Sequence, residues 1–362
     1  MKHLEEYRDP ELAGRLLKRI AATAALIDRP VTIMEVCGSH TQAIGRSGIR
    51  KLLPPAIRLI SGPGCPVCVT AAADVDRALW LAGRQGAVFA TFGDMLRVPG
   101  TGGENLQRLR AAGADVRVVA SALDCVALAE AEQGREVVFM GIGFETTAPT
   151  VAAALRRARE RKIANLSLFS VHKVVPPALR LLIDDPGVSI DGFLCPGHVS
   201  IMLGSAAYGF LPAAGKAAVI TGFEPVDVLE GVLLLLEQLA EGRPAVEIQY
   251  RRAVRPEGNP RAMAVMGEVF AAGDAQWRGL GPIPASGLFL RREYEAFDAA
   301  KRFAIPEFAG QENPGCSCGV VLRGLIDPAE CPLFRRVCTP ANPIGPCMVS
   351  SEGSCAARYR YG

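Results

Sequence analysis

The stretch EVVFMGIGFETTAPTVAAALRRARERKIANLSLFSV, residues 136–171, runs strand, turn, helix, strand. EVVFMGI (136–142) and NLSLFSV (165–171) are apolar runs of strand length, and VAAALRRARERK between them has helical periodicity. A strand, a crossover helix and a second strand predict a parallel pair joined right-handedly. The same texture extends both ways, through VTIMEV (31–36), IRLIS (57–61), AVFAT (87–91) and VRVVA (116–120) upstream, and DGFLC (191–195) and AAVITG (217–222) downstream. Strands alternating with helices imply parallel sheets of the α/β class. A break near AEQGRE (131–136) splits the eight strands into four and four. The expected organisation is therefore two consecutive parallel-sheet α/β domains, 25–130 and 131–243. After the helix VDVLEGVLLLLEQLAEG (226–242) the chain turns rich in Pro, Gly and Arg, then in Cys. Residues 244–362 read as a third, C-terminal region with too little apolar patterning at its end to fold without a metal.

With 362 residues, 49% hydrophobic and 21% charged, there is ample material for two or three cores. A net charge of +3 spread along the chain argues against nucleic acid as a partner. No uncharged apolar run of about 18 residues exists and the N-terminus is charged, so neither a membrane span nor a signal peptide is expected. The cytoplasm is the expected compartment. Eleven cysteines there call for metal or redox chemistry rather than disulfide scaffolding.

Six of them fall in CSCGVVLRGLIDPAECPLFRRVCTPANPIGPCMVSSEGSC: Cys316, Cys318, Cys331, Cys338, Cys347 and Cys355. Structural zinc sites bring ligands in close pairs, often with histidine. Here the spacings are mostly wide and no histidine lies near, which favours a [4Fe–4S] cluster held from separate loops. A zinc-stapled tail is the alternative. Six thiols exceed the four a cluster needs, leaving two for a redox pair.

Cys65 and Cys68 form a C-x-x-C turn just past a strand, in SGPGCPVC. Such a pair suits a dithiol/disulfide switch, and a helix N-terminus can lower one thiol's pKa. Cys37 follows the first strand in EVCGSHTQ, with His40 three residues on. The two could hold a metal, or the imidazole could activate the thiol; a buried, inert pair is the plain alternative. His172 and His198 also follow strands, and ligand groups gather beyond the carboxyl ends of parallel strands. If both sheets face one cleft, His40, His172 and His198 converge there. GIGFETTAP (141–149) could cradle an anion, although Glu145 and Thr146 read more plainly as caps of the helix that follows. GTGGEN (100–105) reads as a turn, and Cys125 and Cys195 as inert core thiols.

EVCGSHT, SGPGCPVCVT, GFETTAPT, PGHVS, CPLFRRVCTP and GPCMVSSEGSCA, in this order from about residue 30 to the end, together resemble the HypD family of [NiFe] hydrogenase maturation factors. The resemblance implies two α/β domains and a third with a [4Fe–4S] cluster. It implies a scaffold that, with the small partner HypC, holds an iron ion while cyanide and carbon monoxide ligands are added. Cyanide would come from HypE, loaded by HypF. Cys37 would ligate that iron together with the N-terminal cysteine of HypC, with His40 beside it. Cys316, Cys331, Cys338 and Cys355 would hold the cluster, and Cys318 and Cys347 would relay electrons to Cys65 and Cys68.

One position departs from the pattern. The family's first motif usually reads C-G-x-H-x-H, and Gln42 stands at the second histidine. Glutamine is a poor iron ligand, so either this position does not ligate or the surroundings of the iron differ. Two other functions compete: an iron–sulfur-dependent thiol–disulfide oxidoreductase using Cys65 and Cys68, and a zinc-stabilised nucleotide-binding protein using the 141–149 loop.

Overall fold

The computed structural model describes residues 5–362. All eight expected strands form: β1 (Val31–Glu35), β2 (Ile57–Ser61), β3 (Ala87–Thr91), β4 (Val116–Val118), β5 (Glu136–Gly141), β6 (Leu166–Ser170), β7 (Gly192–Pro196) and β8 (Ala217–Thr221). Three more follow, β9 (Val246–Ile248), β10 (Phe270–Trp277) and β11 (Gly281–Leu290). Helices start where the sequence supplies caps. Asp9 accepts the amides of Glu11 and Leu12 ahead of Pro10–Ala24, and Ser121 with Asp124 closes a capping box ahead of Ala122–Ala131.

The class is α/β with parallel sheets, but the strands do not group as two consecutive sets of four. The first sheet has the order β2-β1-β7-β8-β9 and the second β4-β3-β5-β6. The chain leaves the first sheet after β2, builds the whole second sheet, and returns at β7. The reason lies in burial. Ile33, Met34 and Glu35 are all buried, so β1 needs a partner on each edge; β7, buried along its whole length, pairs beside it with Ile33 opposite Gly192 and Glu35 opposite Leu194. The 131–136 break is only the exit of the Ala122–Ala131 helix into β5. Nor does a separate module begin at 244, because β9 pairs with β8 as the edge of the first sheet.

The antiparallel hairpin β10–β11 covers the second sheet. Phe270 and Leu288 share one core with Phe139 and Leu168. Helices Pro10–Ala24 and Pro225–Glu241 close one face of the first sheet around Ile33, Leu194 and Val219. Between the two sheets lies a shared core to which β1 gives Met34, β3 Phe89 and β7 Phe193. Cys65, Cys68 and the tail cysteines are part of it, so the C-terminal region packs into this core rather than hanging from it. Among the described residues no helix is long and apolar enough to cross a membrane.

Candidate thiol and metal centre

Because β1 and β7 are neighbours, the turns after them lie side by side. Cys37 is the N-cap of the helix Gly38–Ser47, and His40 sits in its first turn. His40 Nε2 lies 2.9 Å from the carbonyl oxygen of Gly222 and 3.0 Å from Thr221 Oγ1. A carbonyl only accepts, so Nε2 carries the proton. Nδ1 is left with a lone pair, buried and without a hydrogen-bond partner. Burial pushes His40 down to about 4, so the ring is neutral at pH 7. Phe223 faces His40 at 4.7 Å and stacks on exposed His198 at 4.0 Å. His40 and His198 thus converge. His172 does not: it follows β6 on the other sheet, beside Ser170 at 3.1 Å and Phe270 at 5.8 Å.

The Cys37 thiol is pushed up to about 12, by burial first and then by Glu352, while the amides of His40 and Ser39 pull the other way. A cation at this sulfur would overcome that penalty, since a metal draws the thiol to thiolate. Beneath it, buried Glu35 accepts the Cys37 amide at 3.3 Å and the Thr41 hydroxyl at 2.6 Å, with Arg50 at 3.5 Å. Burial raises its carboxyl to about 7.

Glu352 is a site residue that sequence reasoning missed. It accepts the Ser39 hydroxyl at 2.7 Å, raises both Cys37 and Cys68, and favours the protonated form of His198. No motif marks it; the only signal is its place in the tail run SSEGSC, three residues before Cys355.

The SGPGC loop lies directly against Cys37. Gly64 accepts the Gly38 amide at 3.0 Å, and a Cβ on Gly64 would stand 2.2 Å from the Cys37 nitrogen, so only glycine fits. Cys65 caps the short helix Pro66–Val69, its sulfur accepting the Cys68 amide at 3.4 Å. Both thiols are free and buried. Burial, then Cys65, raises Cys68 well above its ordinary value, with Cys355 and Glu352 adding to the effect. The short helix packs on the turn Pro346–Met348 that carries Cys347.

Behind that turn, Cys316, Cys331, Cys338 and Cys355 line one cavity, shielded by Leu333, Phe334 and Met348. All four thiols are free, whereas Cys318 and Cys347, on the same cavity wall, are joined in a disulfide with Cα atoms 6.4 Å apart. Backbone amides face the sulfurs. Ile344 donates to Cys338 Sγ at 3.4 Å. At Cys331 burial is the largest influence, yet the amides of Ser317, Leu333 and Phe334 help bring the thiol below its ordinary value. Burial raises Cys316 to about 11 and Cys355 further, each lifted also by the other sulfurs. Gly345 is required here, because a Cβ would come within 2.6 Å of Cys316 Sγ. Among the described residues no three His, Cys, Asp or Glu side chains form a group that could hold a single metal ion. Four thiols from separate turns, with amide donors and an apolar shield, are a donor set that fits an iron–sulfur cluster.

Other expected residues lie elsewhere. The 141–149 loop does not cap its own helix with Glu145: that helix is Ala148–Glu160, its N-cap is Thr147, and Glu145 instead accepts the Val175 amide of the next helix at 2.9 Å. Buried as it is, the Glu145 carboxyl rises to about 7 and is better placed to tie two loops than to admit an anion. Gln42 is half-buried on the Cys37 helix. Cys125 and Cys195 are buried core thiols, the first pushed up to about 12 by burial.

The family model "HypD: Hydrogenase formation hypA family" matches residues 11–362. The whole chain is 47% identical to hydrogenase maturation factor HypD of Rhodobacter capsulatus, covering 98% of that protein. It is 46% identical to HypD of Rhizobium leguminosarum over 96% of that protein, and 43% identical to HypD of Escherichia coli over 98%. At this identity over full length, the chain belongs to the HypD family of hydrogenase maturation factors.

Proposed function

We propose that within hydrogenase maturation this chain is the scaffold on which a substrate iron ion is held while cyanide and carbon monoxide ligands are added. The observation that carries the reading is the buried, partnerless Nδ1 lone pair of neutral His40 in the helix turn that Cys37 caps, a turn against which both the Cys65–Cys68 loop, through Gly64, and the Cys-rich tail, through Glu352, are packed. Cys37 thiolate grips the iron together with the N-terminal cysteine of HypC, and His40 offers its lone pair from the same helix turn. Soft thiolate in a water-poor pocket suits low-valent iron carrying π-acceptor ligands. HypE, charged by HypF, delivers the cyanide.

Cys316, Cys331, Cys338 and Cys355 would hold a resident [4Fe–4S] cluster, which supplies single electrons. The remaining redox work belongs to this chain's own sulfur. The outer pair is oxidised, as the Cys318–Cys347 disulfide, and the inner pair Cys65 and Cys68 is reduced. An outer thiolate attacks an inner disulfide sulfur to give a mixed disulfide, and the second outer thiol resolves it. One disulfide forms as the other breaks, two electrons move inward, and protons pass from the outer to the inner thiols. Two electrons from an external electron donor and two protons from solvent would then restore the outer dithiol.

The test is Cys37→Ala in cells lacking the native protein. Hydrogenase activity is expected to vanish while the purified variant keeps its fold and its cofactor. Full activity would overturn the scaffold reading and leave a thiol–disulfide oxidoreductase acting through Cys65 and Cys68.

A further inference from the structure

A cavity of about 740 Å³ opens between the 99–105 loop, the helix Leu106–Ala111 that follows it, and the turns at 311–314 and 341–344. Its volume falls within the range of small-molecule sites. The charged groups on its wall are Arg97, Arg108, Arg278 and Glu312, three guanidinium groups against one carboxylate.

Arg278 is the unusual member. It is 4% exposed, a degree of burial rare for an arginine. Its Nε donates to the Thr70 carbonyl at 2.8 Å, and Nη1 reaches Glu312 only at 3.9 Å. Nη2 is buried with no hydrogen-bond partner. A buried charged donor without an acceptor is costly and asks what it is meant to meet. The carboxylates around it are engaged or distant: Asp76 accepts both the Thr101 amide and hydroxyl, and Glu104 pairs with Arg108 at 3.7 Å on the exposed rim. Arg97, half-buried, donates to the Pro340 carbonyl and keeps the rest of its fork on the cavity wall. The 99–105 loop contributes Gly100, Gly102 and Gly103 to the cavity wall. Arg278 also lies within electrostatic range of Cys68 and Cys316, so this cavity adjoins the thiol centres without being lined by them.

We propose that this cavity binds a small di- or trianion bearing phosphate or carboxylate groups, held by Arg278 at its buried end and by Arg97 and Arg108 toward the rim. Guanidinium forks read the planar or tetrahedral oxyanion by paired hydrogen bonds, and Arg278, a wall residue whose own partners leave its charge largely unmet, is the buried cation such an anion would neutralise. The proposal is independent of the iron-scaffold reading, which survives its failure.

The test is isothermal titration of the full chain, purified without oxygen, with pyrophosphate and with tricarballylate in separate runs. Saturable binding of at least one probe, weakened tenfold or more in the Arg97→Gln/Arg108→Gln variant, is the expected result; which probe binds more tightly identifies phosphate or carboxylate as the source. These rim residues leave the buried guanidinium in place, so the variant keeps its fold. Absence of binding by either probe to the native chain, or equal affinity in the variant, overturns the proposal.

Discussion

Cys37 and Cys331 are both buried thiols, yet they reach their places by opposite means. Cys37 hangs on regular structure: a central strand ends at Glu35, a helix begins at Gly38, and hydrogen bonds from Thr41 and the Cys37 amide to Glu35 fix the junction. Cys331 has almost none of this. Between the short helices Cys318–Leu322 and Ser354–Tyr361 the tail is built of turns and two 3-10 segments, and its cysteines form much of its share of the core. Where a sheet supports the thiol, backbone geometry positions it, and on the proposed function metal would be cargo. Where turns support it, sulfur cross-linking and, on the same proposal, a bound group would take over the role of apolar packing.

The comparison can be broken most sharply by removing one sulfur from each region. Cys331→Ser is expected to lose most bound iron and sulfide and to lower Tm by about 5–10 °C, the scale of about 4–8 kcal/mol in a chain of this size. Cys37→Ala should shift Tm by no more than about 2 °C, since the strand–helix junction remains. Thermal melts of the two variants side by side decide it; equal losses would erase the distinction.

A smaller effect sharpens the account of the sheet-supported side. Burial raises the Glu35 carboxyl from 4.5 to about 7, so between those values the folded chain binds a proton that the unfolded chain has released. Its contribution to stability is therefore full below pH 4.5 and is lost as pH rises toward 7. His40, lowered from 6.5 to about 4, acts with the opposite sign over nearly the same window and masks the trend in the native protein. Glu35→Gln unmasks it. Relative to the variant, native stability should fall by about 3 kcal/mol between pH 4.5 and 7, read by denaturant titration at each pH. A pH-independent difference would contradict the assignment.

The smallest effect links the two regions. Glu352→Gln keeps an acceptor for the Ser39 hydroxyl and removes the charge that raises Cys37 and Cys68. The Cys37 thiol should then titrate lower by some tenths of a pH unit in ultraviolet thiolate absorbance, with little change in Tm. An unchanged titration would separate the tail from the Cys37 thiol.

Much of this was legible in the residues, and the gaps have physical causes. The eight expected strands form because each is a compact apolar run, while β10 and β11 escape because FAAGDAQW and GPIPASGLFL carry Gly, Pro and Ala where strands favour branched residues. The sheet grouping escapes because pairing is non-local: nothing within DGFLC announces that β7 returns to β1 across the whole second sheet. For the same reason the expected meeting of three histidines holds for His40 and His198, which follow adjacent strands of one sheet, and fails for His172. Glu352 could be found only in three dimensions, since its meaning lies in Ser39, more than three hundred residues away in sequence.

The most direct measurement is iron and acid-labile sulfide in the full chain purified without oxygen, together with its visible spectrum. The four tail thiols are expected to yield a brown protein with about four of each per chain, as a [4Fe–4S] cluster requires. A colourless product free of iron and sulfide, or one holding zinc instead, would contradict the account.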